Sequence, residues 1–205
     1  MINLFINPYK ADNKHRQAEL DYCLGSNESN PLIDRIIPFP DRMTYSDFFN
    51  ETANYPDDIN ILANTDIYFN ETLELIKDIK ENECYAITRS ELNNGKVVRF
   101  EEKHAYNAEA KAKHSQDVWA FKGSVKNVFG NFNLGVPGCD NRIAFEIAKA
   151  YRIKNPCYQI QCIHKHSSQE RNYNLPKGVT RILPPYKWVD PEGETEQNKH
   201  FRTPI

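Results

Sequence analysis

The sequence predicts an α/β fold with a mostly parallel central sheet and helices on both faces. In the first half of the chain, short apolar runs alternate with polar segments of helical spacing, which is the order of β-α-β units. The 205 residues suffice for one ordinary domain, and 40% hydrophobic with 26% charged residues is typical of soluble globular proteins. We expect a single domain over residues 1–183, followed by a C-terminal extension over 184–205.

Four strands are predicted in the first half. Asn7-Pro8 stops the first strand and Pro38 closes the second, because proline removes a backbone donor from strand pairing. The strands are INLFIN (2–7), LIDRIIPF (32–39), DINILA (58–63) and CYAITRS (84–90). Helical spacing or a capping residue follows the first three strands, over 10–24, 44–49 and 72–79.

The second half is predicted to be more mixed. Two strands, one helix and a last strand are expected over 96–102, 117–123, 143–150 and 157–166. The polar segment 103–114 is expected to be a mobile loop. The tail from Pro184, rich in Pro, Glu and Lys, is expected to be a loosely held extension.

Charge and cysteine content argue against several classes of protein. Lys and Arg total 26 against 28 Asp and Glu, so a basic nucleic-acid clamp is not expected. Five cysteines without CxxC spacing suggest neither a disulfide framework nor a zinc knuckle. No apolar run reaches the eighteen or so residues of a membrane span, and MINLFINPY lacks the features of a signal peptide. We therefore expect a cytoplasmic protein without a membrane span.

Polar residues at the predicted strand ends form the candidate site. Ligands of an open parallel sheet bind beyond the carboxyl ends of its strands, where helix N-termini and free backbone amides point. The informative groups are Asn7 to Tyr9, Asn64-Thr65-Asp66, Ser115-Gln116-Asp117, Gly138 to Asn141, and His164 with His166.

Asp66 directly follows an apolar strand, where a carboxylate is costly without a partner. A divalent metal bridging to a diphosphate would supply one, because Mg²⁺ and Mn²⁺ take one or two protein carboxylates and fill their other positions with phosphate oxygens and water. A turn or N-cap carboxylate is the alternative. His164 and His166 share one side of a predicted strand, which suits a metal or diphosphate contact as well as a surface histidine pair.

Asp140 lies just before a predicted helix, where backbone amides would stabilise its anion and lower its basicity. We expect it either to act as a general base late in the transition state or to cap the helix. Asp117 is an alternative base. Nearby, Trp119 offers an apolar face to a sugar ring while Gln116 takes hydroxyls, and core packing is the alternative for Trp119.

In order along the chain, these segments resemble the nucleotide-sugar glycosyltransferases of the GT-A fold over residues 1–175. ILANTDIYF resembles the family's strand and DxD-type motif, with Asn64 in the first acidic position and Asp66 in the last. NFNLGVPGCDNRIAFEIAKAYRI resembles the segment that carries an acidic pair before a helix, with Cys139 in the first position and Asp140 in the second. The chain also resembles small, poorly characterised glycosyltransferases of bacteria and viruses.

The resemblance implies a Rossmann-like GT-A domain that transfers a sugar from a UDP-sugar to an acceptor hydroxyl with inversion, in a manner like a hexosyltransferase. Asp140 would be the general base. Mn²⁺ or Mg²⁺ would be held by Asp66, with His164 or His166 on the metal or diphosphate. The acceptor would be a glycan, a small molecule or a modified base, in the cytoplasm of a bacterium or of a virus's host.

The resemblance also implies a nucleotide pocket. Asn7, Tyr9 and Arg16 would meet the uracil and ribose, with a surface aromatic against a helix as the alternative for Tyr9. Asn64 and Thr65 would accompany Asp66 in the diphosphate motif. Arg89 would reach the diphosphate or the sugar hydroxyls, with a surface ion pair as its alternative.

Three other functions compete with this interpretation. A nucleotidyltransferase should carry a glycine-rich phosphate loop after the first strand, and NPYKADNKHR contains no glycine. A catalytically inactive nucleotide-sugar-binding module would keep the pocket without the transfer. A glycosyltransferase of modified DNA bases would need a phosphate-binding surface that the near-neutral charge does not indicate.

Overall fold

Strands and helices both occur along the chain in the structure, a computed structural model that describes residues 1–40, 42–104, 112–168 and 180–192. Within these ranges the strands are β1 (Ile2–Ile6), β2 (Arg35–Pro38), β3 (Ile59–Ala63), β4 (Ile67–Phe69), β5 (Glu83–Ile87), β6 (Ser90–Asn93), β7 (Lys96–Val98), β8 (Val118–Lys122), β9 (Arg152–Lys154) and β10 (Cys162–His164). The α-helices are α1 (Lys14–Glu28), α2 (Tyr45–Glu51), α3 (Phe100–Lys103) and α4 (Cys139–Ile147). In the same described ranges, 3₁₀-helices span Thr52–Asn54, Glu71–Asp78 and Ala112–His114.

The main sheet is mixed, in the strand order β2-β1-β3-β8-β5-β9. β1 pairs in parallel with β2 and β3, and β5 pairs in parallel with β9. β8 is antiparallel to both of its neighbours, β3 and β5. The predicted α/β class is confirmed, whereas the predicted mostly parallel sheet is not.

The direction of β8 follows from the path of the chain. After β5 the chain stays beyond the carboxyl end of that strand, where it forms β6, β7 and α3. β8 therefore enters the main sheet from the carboxyl-end edge, and its first residues meet the ends of both neighbours: the Asp117 amide donates to Ile87, and Asn64 donates to the Asp117 carbonyl. A polar residue before β8 is thus delivered to the same edge as the residues after β3 and β5.

A smaller sheet, β4-β10-β6-β7, lies beyond that edge. β10 runs antiparallel to β4 and parallel to β6. β6 and β7 form a hairpin whose turn, Asn94-Gly95, has positive φ at both positions, the conformation that Asn-Gly adopts most readily in hairpins. The small sheet holds residues 66, 91 and 164 next to the main sheet.

Two apolar clusters enclose the main sheet because its central strands bury both faces. Leu4 and Ile61 project into one cluster, and Phe5, Leu62 and Trp119 project into the other. On the second side, α2 begins at the Thr44–Asp47 capping box and packs its phenylalanines against the sheet. These contacts fix the positions of the strand ends that carry the polar residues.

The sequence predictions differ from the structure in several elements. The helix predicted over 10–24 starts at Lys14, after the Asn13 cap, and the one predicted over 72–79 is a 3₁₀-helix. The strand predicted over 84–90 is split into β5 and β6, and the one over 96–102 ends in α3. Residues 105–111 of the predicted loop 103–114 lie outside the described residues. Among the described residues, no helix is both long and apolar enough to cross a membrane.

The tail is held more firmly than its composition indicates. Val189 is buried in the core cluster, and its carbonyl accepts from the side chain of Asn155 at 3.0 Å. The Lys187 amide donates to the Asn141 carbonyl at 2.9 Å. The expectation of a loosely held tail is therefore wrong for residues 184–192, while 193–205 lie outside the described residues.

We expect Asn155→Ala to destabilise the protein by about 1–3 kcal/mol, because it leaves buried backbone groups without partners. Asn155 is fully buried and joins the amide and hydroxyl of Thr88 to the Val189 carbonyl. Urea denaturation measures the change in unfolding free energy. Asn54→Ala, which removes an exposed side chain, is the control and should change stability by no more than about 0.5 kcal/mol. Equal stability of the two variants would contradict the role assigned to Asn155.

Candidate functional site

A polar cavity of about 960 Å³ opens at the carboxyl ends of β1, β3 and β5. Its wall includes the segments after these strands, the residues before β8, the start of α4 and the segment after β10. Eleven of the thirteen predicted site residues line it: Asn7, Tyr9, Arg16, Asn64, Thr65, Asp66, Arg89, Asp117, Asp140, His164 and His166.

Gln116 and Trp119 lie in the interior and not on the cavity wall. Trp119 is 2% exposed and packs edge-to-face against Tyr45, with ring centroids 6.3 Å apart. Gln116 is fully buried, and its amide donates to the Ala112 carbonyl at 3.3 Å. The predicted sugar contacts of these two residues are therefore corrected. Apolar clusters cover both faces of β8, so Trp119 packs into one of them, and Gln116, which lies before the strand, is held by the Ala112 carbonyl.

Asp66 and the two histidines form a compact cluster. The ligand atoms of the three residues lie within 4.8 Å of one another. His164 Nε2 is 3.2 Å from Asp66 Oδ2, and His166 Nδ1 is 3.8 Å from the same oxygen. The rings of the histidines lie 5.3 Å apart, although only His164 belongs to β10 and His166 follows the end of that strand. Within the described ranges, His166 Nε2 is buried without a hydrogen-bond partner.

Glu91 orients the His164 ring by contacting the ring nitrogen that does not face Asp66. Its Oε2 lies 3.2 Å from His164 Nδ1, which leaves Nε2 directed at Asp66. Burial opposes the charge on His164, but the hydrogen bonds to Asp66 and Glu91 outweigh it and raise the pKa of this histidine to about 9. A carboxylate behind an imidazole is the arrangement that holds histidine ligands in metal sites.

Arg16 is the cation nearest to Asp66, with Nη2 2.6 Å from Oδ2. Arg16 also donates to the Tyr9 hydroxyl at 3.1 Å and to Glu19 at 3.2 Å. Glu19 in turn accepts from the backbone and hydroxyl groups of Ser167 and Ser168. Burial opposes ionisation of Glu19, yet these donors lower its pKa to about 2. Through Glu19, α1 fixes the segment that follows the histidines.

Asn7 and Thr65 use their side chains to shape the cavity wall. The Asn7 amide donates to Phe39 and accepts from the Met43 amide, both at 3.2 Å. Thr65 donates its hydroxyl to the Asn7 carbonyl at 2.8 Å. The segments after β1 and β3 are thereby joined at the floor of the cavity. Tyr9 is 40% exposed and presents its ring to the opening.

Asp117 is engaged by three donors. Arg89 Nη1 lies 3.0 Å from Oδ2, and the Asn64 amide and the Ser115 hydroxyl donate at 2.9 and 3.3 Å. Arg89 also binds Glu91 through Nε at 2.6 Å and stacks on the ring of Phe100. The ion pairs of Arg89 are thus partly buried, whereas the sequence-based alternative was a surface ion pair.

These pairs connect into one row of alternating charges along the cavity. Neighbouring members are 2.6 to 3.2 Å apart. The row consists of Glu19, Arg16, Asp66, His164, Glu91, Arg89 and Asp117, which we call the charge row.

Asp140 stands outside the charge row. Its Oδ1 accepts from the Tyr45 hydroxyl at 3.3 Å and from the Cys139 thiol at 3.2 Å. Burial and the nearby charge of Asp117 raise its pKa to about 7. The sequence-based expectation of lowered basicity is therefore wrong. Gly138 caps α4, and Asp140 lies one residue inside the first turn, where desolvation and the like charge outweigh the helix dipole.

Formal charges on the cavity wall balance. Four Lys and Arg residues face four aspartates, and both histidines are additional. The cations are Lys10, Arg16, Arg42 and Arg89, and the anions are Asp12, Asp66, Asp117 and Asp140. A diphosphate would therefore bring uncompensated negative charge into this cavity unless the histidines or a metal ion supplied positive charge.

Sequence reasoning missed three residues of this site. Glu91 lies two residues after Arg89 on one face of the chain, and Glu19 lies three after Arg16 on a helix, so spacing was an available signal for both. Tyr45 begins α2, and no local pattern links it to a residue about a hundred positions later.

No protein-family model, curated protein or solved structure matches this chain. The function proposed below therefore rests on the geometry of the cavity and on the sequence resemblance.

Asp140→Asn should gain stability relative to the natural protein as pH rises from 5 to 8. Between the usual pKa of 3.8 and the folded-state pKa of about 7, the folded chain holds a proton that the unfolded chain has lost, so the natural protein loses stability as pH rises towards 7. Asparagine removes this loss, and we expect a relative gain of about 1 kcal/mol or more from urea denaturation at the two pH values. Asp57→Asn, at an exposed carboxylate, is the control. If the stability of Asp140→Asn relative to the natural protein did not rise between pH 5 and pH 8, the raised pKa assigned to Asp140 would be wrong.

Proposed function

We propose that this protein is a glycosyltransferase that moves a sugar from a UDP-sugar to an acceptor hydroxyl with inversion of the anomeric carbon. One observation carries the proposal: a single cavity combines an aspartate of raised pKa, Asp140, with the Asp66, His164 and His166 cluster. Such a cavity offers a base for the acceptor and a site for the diphosphate. A Rossmann-like GT-A arrangement is part of this proposal.

The two candidate bases differ in their surroundings. Asp117 accepts from Arg89, Asn64 and Ser115, so its lone pairs are committed and its charge is compensated. Asp140 has a pKa of about 7, close to the pH at which a general base is most effective. Paired carboxylates held in different environments take different roles. We therefore assign the base to Asp140 and a supporting role to Asp117.

The donor set of the cluster fits a divalent transition metal. Two imidazoles and one carboxylate suit Mn²⁺ better than Mg²⁺, which prefers oxygen ligands. The unpartnered Nε2 of His166 and the orienting contact of Glu91 on His164 support this fit. Asp66, His164 and His166 would hold the ion, which would neutralise charge on the leaving diphosphate. Asp66 would share its carboxylate with Arg16.

The nucleotide would lie over the segments after β1 and β3. Tyr9 offers an exposed aromatic ring there, and Arg16 and Lys10 add positive charge to the same wall. Stacking on an aromatic ring is a common way to hold a base, with about 1–3 kcal/mol for each base. Asn7 and Thr65 support the floor through their bonds to the backbone.

The first test is a thermal-shift panel of UDP and UDP-sugars with and without Mn²⁺. A ligand at a hundred times its dissociation constant stabilises the fold by about 2.7 kcal/mol, which such a panel detects. Transfer to a set of hydroxyl acceptors, followed by NMR of the product's anomeric carbon, then tests the reaction. Binding without transfer or donor hydrolysis would favour the inactive binding module, and no stabilisation by any nucleotide would refute the proposal.

Asp140→Asn should lower the transfer rate by about 10² to 10⁴ with nearly unchanged donor affinity, because it removes the proton acceptor and keeps the side chain's size. Steady-state kinetics and calorimetry with UDP measure the two quantities. Asp117→Asn is the comparison variant and should retain more of the rate, since Asp117 only supports the site. Full turnover by the Asp140 variant would move the base elsewhere.

Asp66→Asn and His166→Ala should each weaken Mn²⁺ binding by about tenfold or more, because each removes one of three ligands. Calorimetry with Mn²⁺ alone measures this without any dependence on turnover. His114→Ala serves as the matched control, since His114 is exposed and lies outside the cavity wall. Unchanged Mn²⁺ affinity in both cluster variants would exclude this metal site.

A further inference from the structure

We propose that Tyr45 is a positioning residue that, together with Cys139, holds Oδ1 of Asp140 and leaves Oδ2 as the oxygen that takes the acceptor's proton. This inference rests on the proposed function, in which Asp140 is the general base. Tyr45 does not line the cavity and acts only through Asp140.

The contacts of Asp140 are one-sided. The Tyr45 hydroxyl and the Cys139 thiol both donate to Oδ1, at 3.3 and 3.2 Å. In the part of the chain that the structure describes, no donor reaches Oδ2. Two donors on one oxygen fix the rotation of the carboxylate and leave the other oxygen of this cavity-lining residue available to accept a proton.

Tyr45 itself has little freedom to move. Its ring packs edge-to-face on Trp119 and lies against Phe132, with centroids 5.4 Å apart in the second pair. At Gly130, an added Cβ would stand 2.7 Å from the Tyr45 Cβ, so the backbone itself closes over the residue. Trp119 therefore affects the site only indirectly, by packing against Tyr45, which holds the base.

Four groups from different elements face Asp140. Asp117 before β8 and burial oppose its ionisation, whereas Arg89 after β5, Tyr45 on α2 and Cys139 on α4 favour it. The Tyr45 hydroxyl is a donor that can be removed without changing the shape of the ring. Its removal destabilises the carboxylate relative to the acid.

The proton transfer that this geometry serves is a single displacement. The acceptor oxygen forms its bond to the anomeric carbon while the bond from that carbon to the diphosphate oxygen breaks, and the bonding electron pair leaves with UDP. The acceptor's proton passes to Oδ2 of Asp140. Atoms and charge therefore balance without any further reactant.

The test follows the titration of the Asp140 carboxyl by ¹³C NMR in the free protein, with Asp140→Asn identifying the signal. Tyr45→Phe should raise the midpoint by about one pH unit, the effect of losing one hydrogen bond to a charged group. Tyr151→Phe is the matched control: its hydroxyl accepts from the Lys126 amide, and the midpoint should not move. Cys139→Ala should also raise the midpoint, and it replaces the first variant if Tyr45→Phe does not fold.

An unchanged or lowered midpoint in the donor variants would overturn the positioning role. Where transfer is measured, the apparent pKa of the acid limb of the kcat/KM profile against pH should rise together with the titration midpoint of the Asp140 carboxyl. If the midpoint shifts but the protein transfers no sugar, the contact between Tyr45 and Asp140 stands and the proposed function is refuted. If the protein transfers sugar but the acid limb of its kcat/KM profile does not move in Tyr45→Phe, the proposed function stands and this inference is refuted.

Discussion

The Arg16–Asp66 ion pair holds together the edge of the sheet at which the cavity opens. It joins α1 to the turn after β3, and the charge row continues from it through His164 and Glu91 to Arg89 and Asp117. Each partner is largely withdrawn from water, so removing one member leaves an uncompensated charge at a cost of about 3–5 kcal/mol. The fold can place the seven groups of the charge row side by side only because their signs alternate.

The same compensation explains why Asp140 differs from the other cavity aspartates. Asp66 and Asp117 each form an ion pair with an arginine at 3.0 Å or less, whereas the hydrogen-bond donors of Asp140 are the neutral Tyr45 hydroxyl and Cys139 thiol. An aspartate that is left out of such a row keeps its proton to higher pH. The row thus fixes Asp66 as a permanent anion and Asp140 as a group that changes its protonation near neutrality.

Much of the fold could be predicted from local pattern, and most of the remainder depends on long-range contacts. β1 and β3 have apolar runs that are buried on both faces, and α2 begins after a capping residue, Thr44, within the predicted range 44–49. The direction of β8 could not be predicted, because it depends on the edge of the main sheet at which the chain lies after β6 and β7. The cavity residues were found because strand ends carry polar groups. Trp119 was misplaced because an isolated tryptophan in a strand has the same local pattern in a core as on a binding surface.

The long sequence separations within the cluster have a consequence for the order in which the molecule is built. Asp66 meets His164 across 98 residues, and Glu19 meets Ser167 across 148. Closing contacts of such separation is slow, and synthesis proceeds from the N-terminus. A nascent chain that has reached β5 already holds Arg16 and Asp66 but neither histidine. The cluster therefore assembles only after β10 has been synthesised and has joined β4, and a product truncated before β10 would contain one part of the cavity wall without the means to complete it.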